Sequence, residues 1–111
     1  MKSGERLRRG QRLQAEAVQL ALTKGKARRG EYFRLYFRVS GLAMARIALI
    51  VSKRHALRAV DRARVRRLIR ETFRREQDRL RGLDCVVRLT GGYSADLPYV
   101  DDLIRLLRRA P

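Results

Sequence analysis

The chain has 111 residues, with 28 Lys plus Arg against 11 Asp plus Glu and a formal net charge of +17. An apolar share of 45% suffices for one packed core, so the sequence reads as a single domain, 1–111, and not as a disordered tail. No apolar run is long enough for a transmembrane helix, Met1 to Arg6 are not followed by the apolar stretch of a secretory signal, and the lone Cys85 admits no internal disulfide; the expectation is a cytoplasmic protein without membrane contact.

The cationic surplus repels itself and calls for a polyanion, nucleic acid first and an anionic membrane surface second. An Arg-rich codon bias alone does not account for the scarcity of Asp and Glu.

In chain order, residues 12–23 read as a short helix, with Leu13, Val18, Leu20 and Leu22 among good helix formers and Gly25 placed to end it. Residues 24–30 read as a basic connection. Residues 31–39 alternate as a strand. Phe33, Leu35, Phe37 and Val39 take one face, and Tyr32, Arg34, Tyr36 and Arg38 the other. Residues 46–52 give a second strand, with Ile47, Leu49 and Val51 on one side.

A long helix follows over 58–81. Val65, Leu68, Ile69, Thr72 and Phe73 share its apolar sector, opposite Ala63, Arg66, Arg67, Arg70 and Arg74. Gly82 stops it. Residues 84–89 give a third strand, which Gly91 and Gly92 break. Asp96 is placed to cap a last helix with Pro98 in its first turn, and Leu97, Val100, Leu103, Ile104 and Leu107 form that helix's buried stripe. The order α-β-β-α-β-α predicts an α+β protein, a two-layer α/β sandwich with helices over one sheet.

Self-contained catalysis is poorly supplied. His55, the single histidine, lies in the basic loop 53–58 with no nearby carboxylate to orient it as a base. Cys85 sits inside an apolar strand and reads as buried and inert. Asp101 and Asp102 suit the first turn of the last helix by its dipole better than a metal site. No metal-ligand spacing is present, so neither a protein-held metal nor an organic cofactor is expected.

Two surfaces point to nucleic acid. Tyr32, Arg34, Tyr36 and Arg38, joined by Arg88 from the third strand, combine rings that stack on unpaired bases with guanidinium groups that meet phosphates; an ordinary solvated face is the plain alternative. The long helix speaks more strongly. Between Lys53 and Arg81 stand twelve basic and four acidic residues. A solvated helix normally mixes signs to gain i,i+4 pairs. Arg also offers phosphate a bidentate fork that Lys lacks.

The segments Arg46-Ile47-Ala48-Leu49-Ile50-Val51-Ser52-Lys53-Arg54 and Ala59-Val60-Asp61-Arg62-Ala63-Arg64-Val65-Arg66-Arg67-Leu68-Ile69-Arg70-Glu71 resemble the protein component of bacterial ribonuclease P. That family has a Val-Ser-Lys-Lys strand end, then a helix with an Arg-Asn-Arg motif, basic and aliphatic residues, and Arg-Glu. Phe33-Arg34-Leu35-Tyr36 is similar to its Phe-x-Leu-Tyr strand, and Asp84-Cys85-Val86-Val87 to its Asp-x-Val-Val strand.

The resemblance implies a left-handed β-α-β crossover, as in a ribosomal protein domain and a domain of elongation factor G. It implies a subunit of an endoribonuclease that removes the 5′ leader of precursor tRNA, with no catalytic residue in the protein. The active site and its Mg²⁺ would belong to the RNA subunit and substrate. The implied partners are ribonuclease P RNA, with one protein per RNA, and precursor tRNA.

Lys53, Arg54, Arg58, Arg62, Arg64, Arg66, Arg67 and Arg70 are the expected RNA-subunit contacts. Val18, Leu22, Tyr32, Arg34, Tyr36, Arg38 and Arg88 are the expected leader contacts. Ala63 stands where the motif has Asn, Val18 and Leu22 where the first helix usually carries Phe, and Arg88 where an apolar residue is common. The rival readings are a ribosomal or ribosome-associated rRNA-binding protein, a DNA-binding regulator with 58–81 as recognition helix, and a self-sufficient nuclease, which the scarcity of acidic ligands disfavours.

Overall fold

The structure is a computed structural model and describes residues 9–111. The expectation about a secretory signal falls on residues 1–8 and lies outside the described residues.

A 3-10 turn, Arg9–Gln11, leads into helix α1, Ala15–Lys24. Strands β1 (Lys26–Arg29), β2 (Phe33–Val39) and β3 (Arg46–Ile50) follow. Then come helix α2 (Ala59–Glu76), a 3-10 turn (Gln77–Leu80), strand β4 (Leu83–Leu89) and helix α3 (Tyr99–Leu107). The expected order holds with one strand added. The sheet runs β1-β2-β4-β3, antiparallel at β1–β2 and β2–β4 and parallel at β3–β4. The parallel pair is joined through α2, a β-α-β unit.

The added strand, β1, occupies what reads in the sequence as a basic connection. Lys-Ala-Arg-Arg has one small apolar residue and no alternation of its own. Its pairing with β2 comes from the neighbouring strand, and as an edge strand it tolerates charge.

One sheet face carries the main core. Phe33, Leu35, Phe37, Ile47, Cys85, Val87 and Leu89 pack against Val65, Ile69 and Phe73 of α2 and Leu103, Leu106 and Leu107 of α3. On α2 the spacing 65, 69, 72, 73 is the expected stripe, with Leu68 half-buried at its margin. The Thr72 hydroxyl returns to the Leu68 carbonyl at 2.8 Å. Val39 is the exception among the inward residues of β2. It is the last residue of the strand and is 72% exposed.

The opposite face is covered in part by α1. Ala21, with Leu13, Val18 and Leu22, packs on Tyr36, Val86, Ala48 and Ile50. The segment before α1 is tied to the β3 edge: Arg12 bridges Ile47 in parallel, Leu13 N–H donates to the Ile47 carbonyl at 3.0 Å, and buried Gln11 donates to the Ala45 carbonyl at 3.1 Å and to Gln77 at 2.8 Å.

Two contacts fix the ends of elements. Gly82 has φ +83°, which an L side chain rarely adopts, and it turns the chain from the 3-10 segment into β4. In α3 the buried Asp102 carboxylate accepts the N–H groups of Glu31 (3.0 Å), Tyr32 (2.9 Å) and Phe33 (3.2 Å). Asp101 and Asp102 both lie in the first turn, where the dipole reading puts them. The cap differs from expectation: Pro98, not Asp96, holds the N-cap position, without a side-chain bond.

Candidate nucleic-acid interface

Arg64, Arg66, Arg67 and Arg70 lie exposed along α2, and Lys53, Arg54 and Arg58 lie exposed in the approach to it. Asp61 offers two of them a loose carboxylate, 3.9 Å from Arg58 and 3.8 Å from Arg64. Among the described residues no carboxylate pairs with Arg66, Arg67 or Arg70. The open cationic face expected from the helical wheel is therefore present at Arg66, Arg67 and Arg70 but not at Arg74, which is half-buried and pairs with Glu71, and like charges packed this closely cost stability.

Arg62 differs from its neighbours. It is half-buried, and its Nη1 donates to the carbonyls of Ala56 (3.0 Å) and Leu57 (2.9 Å). Its guanidinium is turned onto the loop before α2, so part of its donor capacity is spent inside the fold.

A cleft of about 600 Å³ opens between the start of α1, β3 and α2. Arg12, Arg66 and Arg70 rim it over an apolar floor of Leu13, Val18, Ile47, Ala48 and Leu49. Partial burial, with Arg12 and Arg66 close by, lowers the Arg70 pKa from its ordinary value. Such a site favours an anion with an apolar body. A second hollow, about 410 Å³, lies against Ala63, Arg66, Arg67, Arg70 and Glu71. The sequence reading missed Arg12, whose only local signal is one more basic residue before a helix; the bridge to Ile47 places it.

The sheet face beneath α1 carries the other expected set, with two corrections. Tyr32 does not share a face with Tyr36. It precedes β2, where the Asp102 carboxylate turns the backbone, and its ring packs edge-on against Tyr99 at 5.2 Å between centroids. Tyr36 is on the expected face but only 9% exposed, sealed by Ala21 and Val86, so its ring is not an open stacking platform. Val18 and Leu22 belong to the same apolar cover.

Arg34, Arg38 and Arg88 do gather on this face. Arg34 stands directly opposite Arg88 on β4 and Arg29 on β1, and its guanidinium lies 5.5 Å from the Tyr36 ring centroid. Arg38 stands opposite Asp84, which holds Arg46 through two bonds of 2.7 and 2.8 Å.

The remaining reactive groups sit apart. Cys85 is fully buried, and burial pushes its thiol pKa up, with Asp84 adding to the effect. His55 is half-buried, and its carbonyl accepts the Tyr93 N–H at 2.7 Å. Among the described residues no group of three or more His, Cys, Asp or Glu side chains is placed to hold a metal ion, and no helix is long and apolar enough to cross a membrane.

Comparison with known proteins agrees with this geometry. Residues 2–110 match the family Ribonuclease P. The chain is 40% identical over 90 residues to the ribonuclease P protein component of Azoarcus sp., covering 78% of this chain and 73% of that one. It is 35% identical over 95 residues to that of Chromobacterium violaceum, covering 85% and 78%. The ribonuclease P protein of Thermotoga maritima superposes with a TM-score of 0.73 at 28% identity, over 85% of this chain and 94% of that one. A basic α2, a cationic sheet face and these matches lead to one assignment: the chain belongs to the family of ribonuclease P protein components.

Proposed function

We propose that this protein, acting as one RNA-binding domain over 1–111, binds the RNA subunit of ribonuclease P through α2 and the 5′ leader of precursor tRNA on the sheet side. The observation that carries this reading is the run of exposed arginines, Arg64, Arg66, Arg67 and Arg70, on a helix whose other face is buried. Arg66, Arg67 and Arg70 have no carboxylate partner among the described residues and Arg64 only a loose one in Asp61, so these guanidinium groups are available to neutralise phosphates and release counterions, and binding should be strong at low salt and fall steeply as salt rises. Lys53, Arg54 and Arg58 extend the same surface at its N-terminal end.

The protein's contribution is positional. Two contacts on one rigid body hold the RNA subunit and the leader in fixed relation, which lowers the entropic cost of placing the scissile bond. The chemistry and its Mg²⁺ we assign to the RNA subunit and substrate, because the described side chains gather no carboxylate or imidazole set that fits a metal. One protein per RNA subunit and a cytoplasmic location complete the reading.

Titration of the RNA subunit with wild type and with the double variant Arg66→Gln/Arg70→Gln tests it. The double variant should bind at least about tenfold more weakly near 150 mM salt, with a shallower salt dependence. Equal affinity and equal salt dependence would contradict the reading.

A further inference from the structure

Strands β3 and β4 are parallel neighbours, so the segments that leave their carboxyl ends, 51–58 and 90–98, emerge at one end of the sheet. The Tyr93 N–H donates to the His55 carbonyl at 2.7 Å and ties the two segments together. Three of the chain's four tyrosines gather at this end. Tyr99 is the inner one, only 4% exposed and part of the core that α2 and α3 cover. Its hydroxyl accepts the Ser94 N–H at 2.8 Å. The rings of Tyr32 and Phe33 meet it edge-on, at 5.2 and 5.9 Å between centroids, and Tyr93 stacks on it at 5.7 Å with 5° between the ring planes.

Tyr93 is the outer ring. It is half-buried, and its hydroxyl has no partner among the described residues and reaches water. Covering Tyr99 asks only for an apolar side chain, whereas a flat ring with a wet polar edge suits a surface that is to be covered by something partly polar. The chain beside it is cationic. Arg54 and Lys53, one and two residues from the His55 carbonyl, are exposed, and among the described residues no carboxylate pairs with either. Arg58 has only its 3.9 Å contact with Asp61. Asp96, the one carboxylate of segment 90–98, is exposed and pairs with none of them. A ring that stacks on a base, beside cations that meet its phosphates, is the chemistry that recognises an unpaired nucleotide.

We propose that Tyr93 is a stacking contact for an unpaired base of the RNA subunit, with Lys53 and Arg54 on the adjoining phosphates. The inference rests on the reading of α2 as the RNA-subunit surface and adds to its N-terminal end a contact of another kind, made to a base face instead of to phosphate charge. The occupant is the RNA subunit because segment 51–58 runs directly into α2, and because the stack lies on the α2–α3 side of the sheet, away from the face beneath α1 where the leader contacts are expected.

The test uses three substitutions at one position in the full chain. Tyr93→Leu still covers Tyr99 but offers no π face, whereas Tyr93→Phe and Tyr93→Trp keep one. In titrations of the RNA subunit, Tyr93→Leu should bind about tenfold more weakly than wild type. Its salt slope should match that of wild type, because a stacked base releases no counterion. Tyr93→Phe should bind as wild type does. The chain has no tryptophan, so Tyr93→Trp places a single reporter indole at the site, and its signal does not depend on how well Tyr93→Leu folds. Near about 150 mM salt, where non-specific RNA binding is weak, the indole fluorescence should be quenched by the RNA subunit and not by precursor tRNA alone. Wild-type affinity in Tyr93→Leu, or an indole indifferent to the RNA subunit, would overturn the stacking contact. Quenching by precursor tRNA alone would overturn the choice of the RNA subunit as its occupant. Neither result touches the reading beneath, which fails if Arg66→Gln/Arg70→Gln binds the RNA subunit with the affinity and salt slope of wild type.

Discussion

Arg62 donates from a single nitrogen, Nη1, to two successive loop carbonyls, Ala56 at 3.0 Å and Leu57 at 2.9 Å. The first arginine of the motif segment thus folds the loop that presents Lys53 and Arg54, while Arg64, two residues on, has only a 3.8 Å contact with Asp61 and a side chain 59% exposed.

The two arginines should therefore separate by experiment. Arg62→Ala should lower unfolding free energy by about 1–2 kcal/mol, since a charged donor leaves two carbonyls, and should weaken RNA-subunit binding as well. Arg64→Ala should weaken binding with stability within about 0.5 kcal/mol of wild type. Denaturant melts and RNA titrations on the same preparations check both. Equal stability losses would remove the distinction.

Tyr36 requires a different pair of substitutions. Its ring is enclosed by Ala21 and Val86, so Tyr36→Ala opens a cavity and should cost about 3 kcal/mol. A loss of precursor binding in that variant would mix unfolding with lost contact. Tyr36→Phe keeps the ring and should stay within about 1 kcal/mol of wild type. Thermal melts decide the first point. If the leader touches the hydroxyl, Tyr36→Phe lowers precursor affinity and leaves mature tRNA affinity as it was.

The strong features were legible in the sequence because they are periodic. The apolar stripe of α2 and its arginine face follow from 3.6-residue spacing, and β2 and β4 from alternation. What escaped was set by partners distant in the chain. β1 is a strand because β2 pairs with it, so Arg29 could not be placed beside Arg34. Tyr32 leaves the Tyr36 face because Asp102, seventy residues on, binds its N–H. Tyr36 is covered because α1 lies back across the sheet, and Arg12 reaches the cleft because its segment runs beside β3. Local patterns report which face a residue takes, and tertiary contacts decide what covers that face.

Anions should stabilise the free protein. Arg12, Arg66 and Arg70 share a cleft without a carboxylate, and an anion bound only by the native state raises stability by mass action. About 20 mM sulfate should raise the melting temperature by several degrees at constant ionic strength. Arg66→Gln/Arg70→Gln should lose most of the shift. A melt indifferent to sulfate would contradict this.

Cys85 gives a pH dependence of known sign. Burial raises its pKa in the folded state, so the native protein holds this proton more tightly than the unfolded chain. The contribution is complete below the ordinary thiol value of about 8.5 and is lost as pH rises above it, by up to about 1.4 kcal/mol per pH unit. Wild type should lose stability relative to Cys85→Ala on going from pH 8 to pH 10 in urea melts. Parallel curves would refute it. The folded protein should also resist thiol alkylation until it is unfolded.

The central claim is that this chain assists an RNA catalyst. It is tested most directly by mixing the purified protein with the ribonuclease P RNA of its own organism and a precursor tRNA at low Mg²⁺, and following 5′ cleavage in a single-turnover assay. The account predicts cleavage at the mature 5′ end that is at least about tenfold faster with protein than with RNA alone, lost progressively as arginines of α2 are neutralised. Cleavage at the same rate with and without the protein would contradict it.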